Sequence, residues 1–213
     1  MSLPVYACFA LPLWAALFAL YFILRKARLA RQSLIAKCGG SFLAVASAGL
    51  ALYLRGENPL AHWAFWFFVL CTGADALLEI RFVPGMLLFG AAHVCLIVWL
   101  WGLAPAGWFS LVAWLLAYGA TALLFRREIP RLGKLLVPFL LYPALLGASL
   151  ALGVALPFTA GNSYWPLALG TACFYISDMM VAKSELSHLD ESWQKPIMLL
   201  YWAALFLIST ALW

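Results

Sequence analysis

At 213 residues the chain has the length of one or two ordinary domains, yet 67% of it is hydrophobic and only 10% is charged. Apolar runs long enough to cross a bilayer recur along its whole length, which excludes a soluble enzyme and defines an all-α, polytopic transmembrane helix bundle. The connecting segments are too short to bury cores of their own, so residues 1–213 form a single transmembrane domain in which any chemistry happens inside the bundle or at its rim.

Runs of about twenty apolar residues bounded by charge, Pro or Gly predict eight spans. In chain order they cover residues 4–24, 33–54, 60–80, 83–103, 107–124, 135–156, 165–183 and 196–213. The narrowest break is Glu79-Ile80-Arg81-Phe82-Val83-Pro84-Gly85, where charge followed by Pro-Gly predicts a tight turn.

Charge in the connections orients the spans. Arg25, Lys26, Arg28 and Arg31 follow the first, Arg81 the third, and Arg126, Arg127, Arg131 and Lys134 the fifth, while Lys183 and Lys195 flank the connection after the seventh. Arg55 alone falls on the opposite side. Because Lys and Arg resist translocation, the basic loops are expected in the cytoplasm and both termini outside. The net charge of +5 then reflects topology and contact with membrane lipids, not binding to nucleic acid. The first apolar run has its basic cluster after it and none before, the pattern of an initial span and not of a signal peptide. Cys8, Cys38, Cys71, Cys95 and Cys173 all lie within spans, and their spacing contains no disulfide framework.

Topology gives each polar residue a depth. Lys37 in the second span, Asp75 in the third and Asp178 in the seventh come out at one level, roughly 6 to 8 Å inside the cytoplasmic boundary at about 1.5 Å per residue. Tyr142, Tyr201 and Glu79 reach that level or its rim. An ionisable group at membrane depth costs at least roughly 2.5 to 3.5 kcal/mol, so it persists only where it is paired, solvated or used. Ion pairing between helices or snorkelling to the headgroups accounts for Lys37 and Glu79 without any function. Asp75 and Asp178 are too short to snorkel far, and two acids sharing one basic partner leave one carboxyl protonated near neutral pH. Paired acids of unequal proton affinity are what general acid/base chemistry needs, with one donating a proton and the other taking one from water. A lipid or lysolipid in the cytoplasmic leaflet presents its headgroup linkage at this depth.

Other chemistries lack their residues. A zinc hydrolase needs about three ligands, whereas His62, His93 and His188 fall near the outer face, near mid-membrane and in a cytoplasmic loop, so no metal site is expected. No G-x-S-x-G elbow, H-E-x-x-H helix or phosphate-binding Gly loop is present, and no cofactor is expected. His93 reads first as a hydrogen-bonded packing residue and second as a lining residue of a site. The two halves are alike in outline: Ser-Ala-Gly-Leu-Ala-Leu at 47–52 matches Gly-Ala-Ser-Leu-Ala-Leu at 147–152, and the third and seventh spans each carry an aspartate. These matches suggest a four-plus-four parallel repeat, with similarity by composition as the alternative. Besides a hydrolase, a lipid transporter or flippase and a non-catalytic lysolipid-binding protein remain open.

The sharpest motifs are Ala74-Asp75-Ala76-Leu77-Leu78, Phe89-Gly90-Ala91-Ala92-His93 and Phe174-Tyr175-Ile176-Ser177-Asp178. They resemble the G-D-x-L-L, F-x-x-x-H and F-x-x-S-D patterns of the lysoplasmalogenase (YhhN-like) integral membrane proteins, and the resemblance covers nearly the whole chain. Lys37 is similar to that family's second-span Lys, and Tyr201 to its last-span Tyr. The chain departs from the pattern at Ala74, Cys38, Leu96 and Leu205, which thins the polar shell. The resemblance implies hydrolysis of the vinyl ether bond of a lysophospholipid to a fatty aldehyde and a glycerophospho-headgroup. It implies Asp75 and Asp178 as the catalytic pair, with Lys37, Glu79, His93, Tyr142, Tyr175, Ser177 and Tyr201 around the substrate. The membrane expected is a bacterial inner membrane, and the oligomeric state is not legible.

Overall fold

A computed structural model describes residues 3–56, 58–187 and 190–213; His188 lies outside the described residues. Among the described residues there are eight α-helices: α1 (Leu3–Lys26), α2 (Ala30–Arg55), α3 (Pro59–Ile80), α4 (Phe82–Leu103), α5 (Trp108–Leu124), α6 (Leu136–Thr159), α7 (Trp165–Ser187) and α8 (Gln194–Thr210). Each predicted span corresponds to one helix. Six apolar segments, containing α1, α2, α3, α4, α6 and α7, are long and apolar enough to cross a membrane. The 17 residues of α5 and of α8 each make a rod about 26 Å long, slightly short of a roughly 30 Å hydrocarbon core.

The helices group into two compact units, residues 1–96 with 209–213 and residues 97–208. In the first unit α2 packs against both α1 and α3. Its buried face is built from Ala36, Gly40, Ser41, Ala44, Ala48 and Ala51, small residues that let neighbouring backbones approach closely. The approach is close enough for the Trp14 indole of α1 to donate to the Gly40 carbonyl at 2.9 Å.

The second unit repeats this order. There α6 packs against both α5 and α7, with Gly147 against Trp114 and Ala117 of α5 and Gly153 on another side against Thr171 of α7. The Trp114 indole of α5 donates to the Ala144 carbonyl of α6 at 3.0 Å. A Cβ on Gly153 would lie 2.7 Å from Cγ2 of Thr171 on α7, so only glycine fits that crossing. The likeness of the two halves is therefore expressed in packing as well as in composition.

The predicted turn over 79–85 is corrected. Only Arg81 separates α3 from α4, and Pro84-Gly85 sits in the first turn of α4, where a missing backbone N–H costs nothing. Gly85 serves a close approach instead: a Cβ there would lie 2.6 Å from the Leu78 nitrogen and 2.8 Å from its Cα. Gly85→Ala is accordingly expected to lower stability by about 1–3 kcal/mol through overpacking against backbone, measured as an earlier thermal unfolding midpoint in detergent. An unchanged midpoint would rule this packing out.

The last predicted span, 196–213, is also shorter as a helix than its apolar run. Trp213 lies beyond α8 and joins the first unit, where its indole donates to Ser47 at 3.0 Å and its ring stacks on Tyr6 at 5.4 Å. Arg55 donates to its carbonyl oxygen, and Tyr6 and Ser209 share a hydrogen bond of 2.6 Å.

Candidate functional site

In the first unit, α2 and α3 place four polar side chains in contact. Lys37 and Ser41 are one turn apart on α2, and Asp75 and Glu79 one turn apart on α3, so each pair shares a helix face. Lys37 Nζ lies 3.7 Å from Asp75 Oδ1 and 3.2 Å from Glu79 Oε1. Ser41 donates to Asp75 Oδ2. Asp75 is 1% exposed and Ser41 fully buried, whereas the Glu79 side chain is 39% exposed, so the cluster runs from the interior to a rim. A hydrogen bond to a carboxylate is worth about 1.5–3 kcal/mol, enough that Ser41 fixes the rotamer of Asp75 as well as satisfying it. Close by on α1, Arg25 Nη1 donates to the Tyr21 hydroxyl at 3.0 Å. The electrostatic neighbours of Lys37 are Asp75, Glu79 and Tyr21.

The second unit holds its aspartate in the same way. Asp178 on α7 accepts a hydrogen bond from Tyr142 on α6. In both units, then, the acid stands on the third helix and its hydroxyl donor on the central one. Because α7 runs to Ser187 and not to 183, Asp178 lies nine residues from the end of its helix, about 13.5 Å along the axis. The single level drawn from the sequence counted from an earlier end.

The remaining candidate residues have separate partners. Tyr175 donates to the Ala117 carbonyl at 2.8 Å and shares a 2.6 Å hydrogen bond with Thr121, strapping α7 to α5. Ser177 donates to the Ile197 carbonyl at 3.2 Å, joining α7 to α8. The buried Tyr201 ring meets Phe174 edge-on at 5.5 Å. His93 is fully buried, 6.3 Å from the Phe67 ring. His62 stands at the start of α3 against the Asn58 carbonyl, and among the described residues no three His, Cys, Asp or Glu side chains group as a metal ion would require.

Sequence reasoning missed Ser41, although its spacing of four from Lys37 was a usable signal. It also missed an ion pair in the second unit, Lys183 with Glu128, to which Ser187 adds a hydrogen bond of 3.4 Å. Glu128 lies outside the spanning helices, next to the short turns Ile129–Arg131 and Gly133–Leu135. Its hydrogen bond with Lys183 holds its carboxyl below the ordinary value of 4.5. A value lowered by folding means that the pair stabilises the fold above the ordinary value and that this contribution disappears as pH falls through the lowered one. Amide hydrogen exchange over residues 125–135, expressed relative to the intrinsic rate at each pH, is expected to accelerate as the solution is acidified below about pH 4.5, the ordinary carboxylate value. In Glu128→Gln the acceleration should already be present at neutral pH, and identical profiles for the two proteins would refute the tether.

Eight apolar helices among the described residues, six of them in segments long enough to cross a membrane, with an aspartate inside an apolar helix of each unit, define a polytopic helical membrane protein. The profile of the YhhN family matches residues 32–212, and the chain belongs to that family. Comparison with curated proteins found no match, and comparison with solved structures found none.

Proposed function

We propose that the protein is an intramembrane lysolipid hydrolase of the lysoplasmalogenase type, with Asp75 and Asp178 as its general acid/base pair. One observation carries the reading beyond family membership: each half of the chain sets an aspartate inside an apolar helix and directs a hydroxyl from the central helix at it, Ser41 at Asp75 and Tyr142 at Asp178. Lys37 adds a cation beside Asp75, which suits Asp75 to the role of ionised carboxylate, and a dyad of complementary roles then assigns the proton to Asp178.

In the proposed reaction the acid delivers its proton to the β-carbon of the vinyl ether. The oxocarbenium ion that results is stabilised by the carboxylate, which takes a proton from the attacking water. The hemiacetal then collapses to a fatty aldehyde and a glycerol hydroxyl, and the proton gained by one aspartate replaces the one lost by the other. Lys37, Glu79, Tyr142, Tyr201, His93, Tyr175 and Ser177 are the residues proposed to shape the substrate cavity. The lysophospholipid would come from the surrounding membrane, proposed to be a bacterial inner membrane with both protein termini outside.

The test is aldehyde release from vinyl ether, ester and alkyl ether lysolipids by the purified protein. Turnover confined to the vinyl ether supports the proposal, because an alkyl ether has no double bond to protonate. Lysolipid binding or uptake with no aldehyde formed would reject it.

A further inference from the structure

We propose that the basic turn joining α1 to α2 is a docking surface for anionic phospholipid headgroups. The turn closes α1 through two backbone hydrogen bonds, Leu29 N to Leu24 O at 3.0 Å and Arg28 N to Arg25 O at 2.9 Å. This six-to-one plus five-to-two pattern requires a left-handed residue just past the helix end, and Arg28 supplies it at φ 59. The position normally belongs to glycine, because a Cβ in that conformation crowds the following carbonyl. The chain obeys the rule elsewhere: the other positive-φ residues described are Gly56, Gly133 and Gly161. Only at Arg28 is a strained conformation combined with a charged side chain, so the side chain has a use that offsets the strain.

The surroundings identify that use. Lys26, Arg28 and Arg31 are all exposed, and residues 25–36 contain no acid. The first turn of α2 has neither an acidic residue nor a side-chain cap, so its N-terminal N–H groups add positive potential to the same surface. Leu29, 42% exposed, stands between the bases as an apolar contact for the acyl boundary. The basic turn of the second unit differs in containing an acid, Glu128, which is paired with Lys183 of α7. A surface of three exposed cations with an apolar residue among them, placed at the end of two membrane-length helices, fits phosphate groups bearing extra negative charge in the bilayer's own plane.

The experiment compares thermal unfolding of the full chain in nanodiscs of phosphatidylcholine alone and of phosphatidylcholine mixed with phosphatidylglycerol. Arg28→Gly removes the strain and the charge together, so the two effects have opposite signs. In phosphatidylcholine this variant is expected to melt about 2–4 °C above the wild type. With phosphatidylglycerol present the wild type should rise and the advantage should close or reverse. A second variant, Lys26→Gln with Arg31→Gln, leaves the backbone strain in place and should lose most of the phosphatidylglycerol-dependent rise without gaining stability in phosphatidylcholine. Added salt should abolish the rise in the wild type. Equal wild-type midpoints in the two bilayers would overturn the proposal, and so would an Arg28→Gly advantage that is the same in both. A rise produced by an acidic peptide and not by phosphatidylglycerol would replace the lipid with a protein partner.

Discussion

Asp75→Asn and Asp178→Asn are each expected to lower aldehyde release from a vinyl ether lysolipid by about 10²- to 10⁴-fold, the usual contribution of a positioned general acid or base. Asparagine keeps the shape and an acceptor oxygen for Ser41 or Tyr142 but neither gives up nor takes a proton at these pH values. Loss of turnover with the folded population unchanged is therefore the signature of proton transfer. The double variant should be little worse than either single one, because the proposed mechanism makes both groups necessary to one step sequence. Near-wild-type rates in either folded single variant would remove the dyad.

Lys37→Met should have the largest effect on stability. Lys37 is 8% exposed and bridges two carboxylates, so its removal leaves Asp75 buried beside Ser41 with its cation gone. Breaking a buried ion pair from one side costs about 3–5 kcal/mol, because the surviving charge stays desolvated. Adding Asp75→Asn to Lys37→Met should recover much of that loss, since the charge left behind is then neutralised. Unfolding midpoints of the two single variants and the double variant decide the matter: simple additivity would mean that the two side chains do not interact.

The eight apolar runs became eight helices because a span is specified locally. Apolar length, an Asn58-Pro59 start with Asn58 accepting from the Leu60 nitrogen, and charge at the ends are all written within a few residues. The small-residue sequences at 47–52 and 147–152, read from the sequence as marks of a repeat, lie in the helix that packs against two neighbours in each unit, where close packing requires small side chains. Pro84-Gly85 was misread for the same local reason. A Pro-Gly pair favours a turn in isolation, whereas here glycine is demanded by a neighbouring backbone that sequence proximity alone does not reveal.

By itself the sequence determined an all-helical membrane chain, a pair of aspartates in apolar surroundings, and Lys37 and Glu79 as residues in need of partners. Only the tertiary structure decided which partners they have: Lys37 between Asp75 and Glu79, Ser41 on Asp75, Tyr142 on Asp178, and Tyr175 committed to Thr121 and Ala117. Apolar run length fixes that a helix forms and which stretch of chain forms it, but not its exact end, which is why Asp178 lies further from the end of α7 than the sequence count placed it. Rotation about the helix axis, and with it the neighbour each polar side chain meets, is set by packing between helices far apart in the chain.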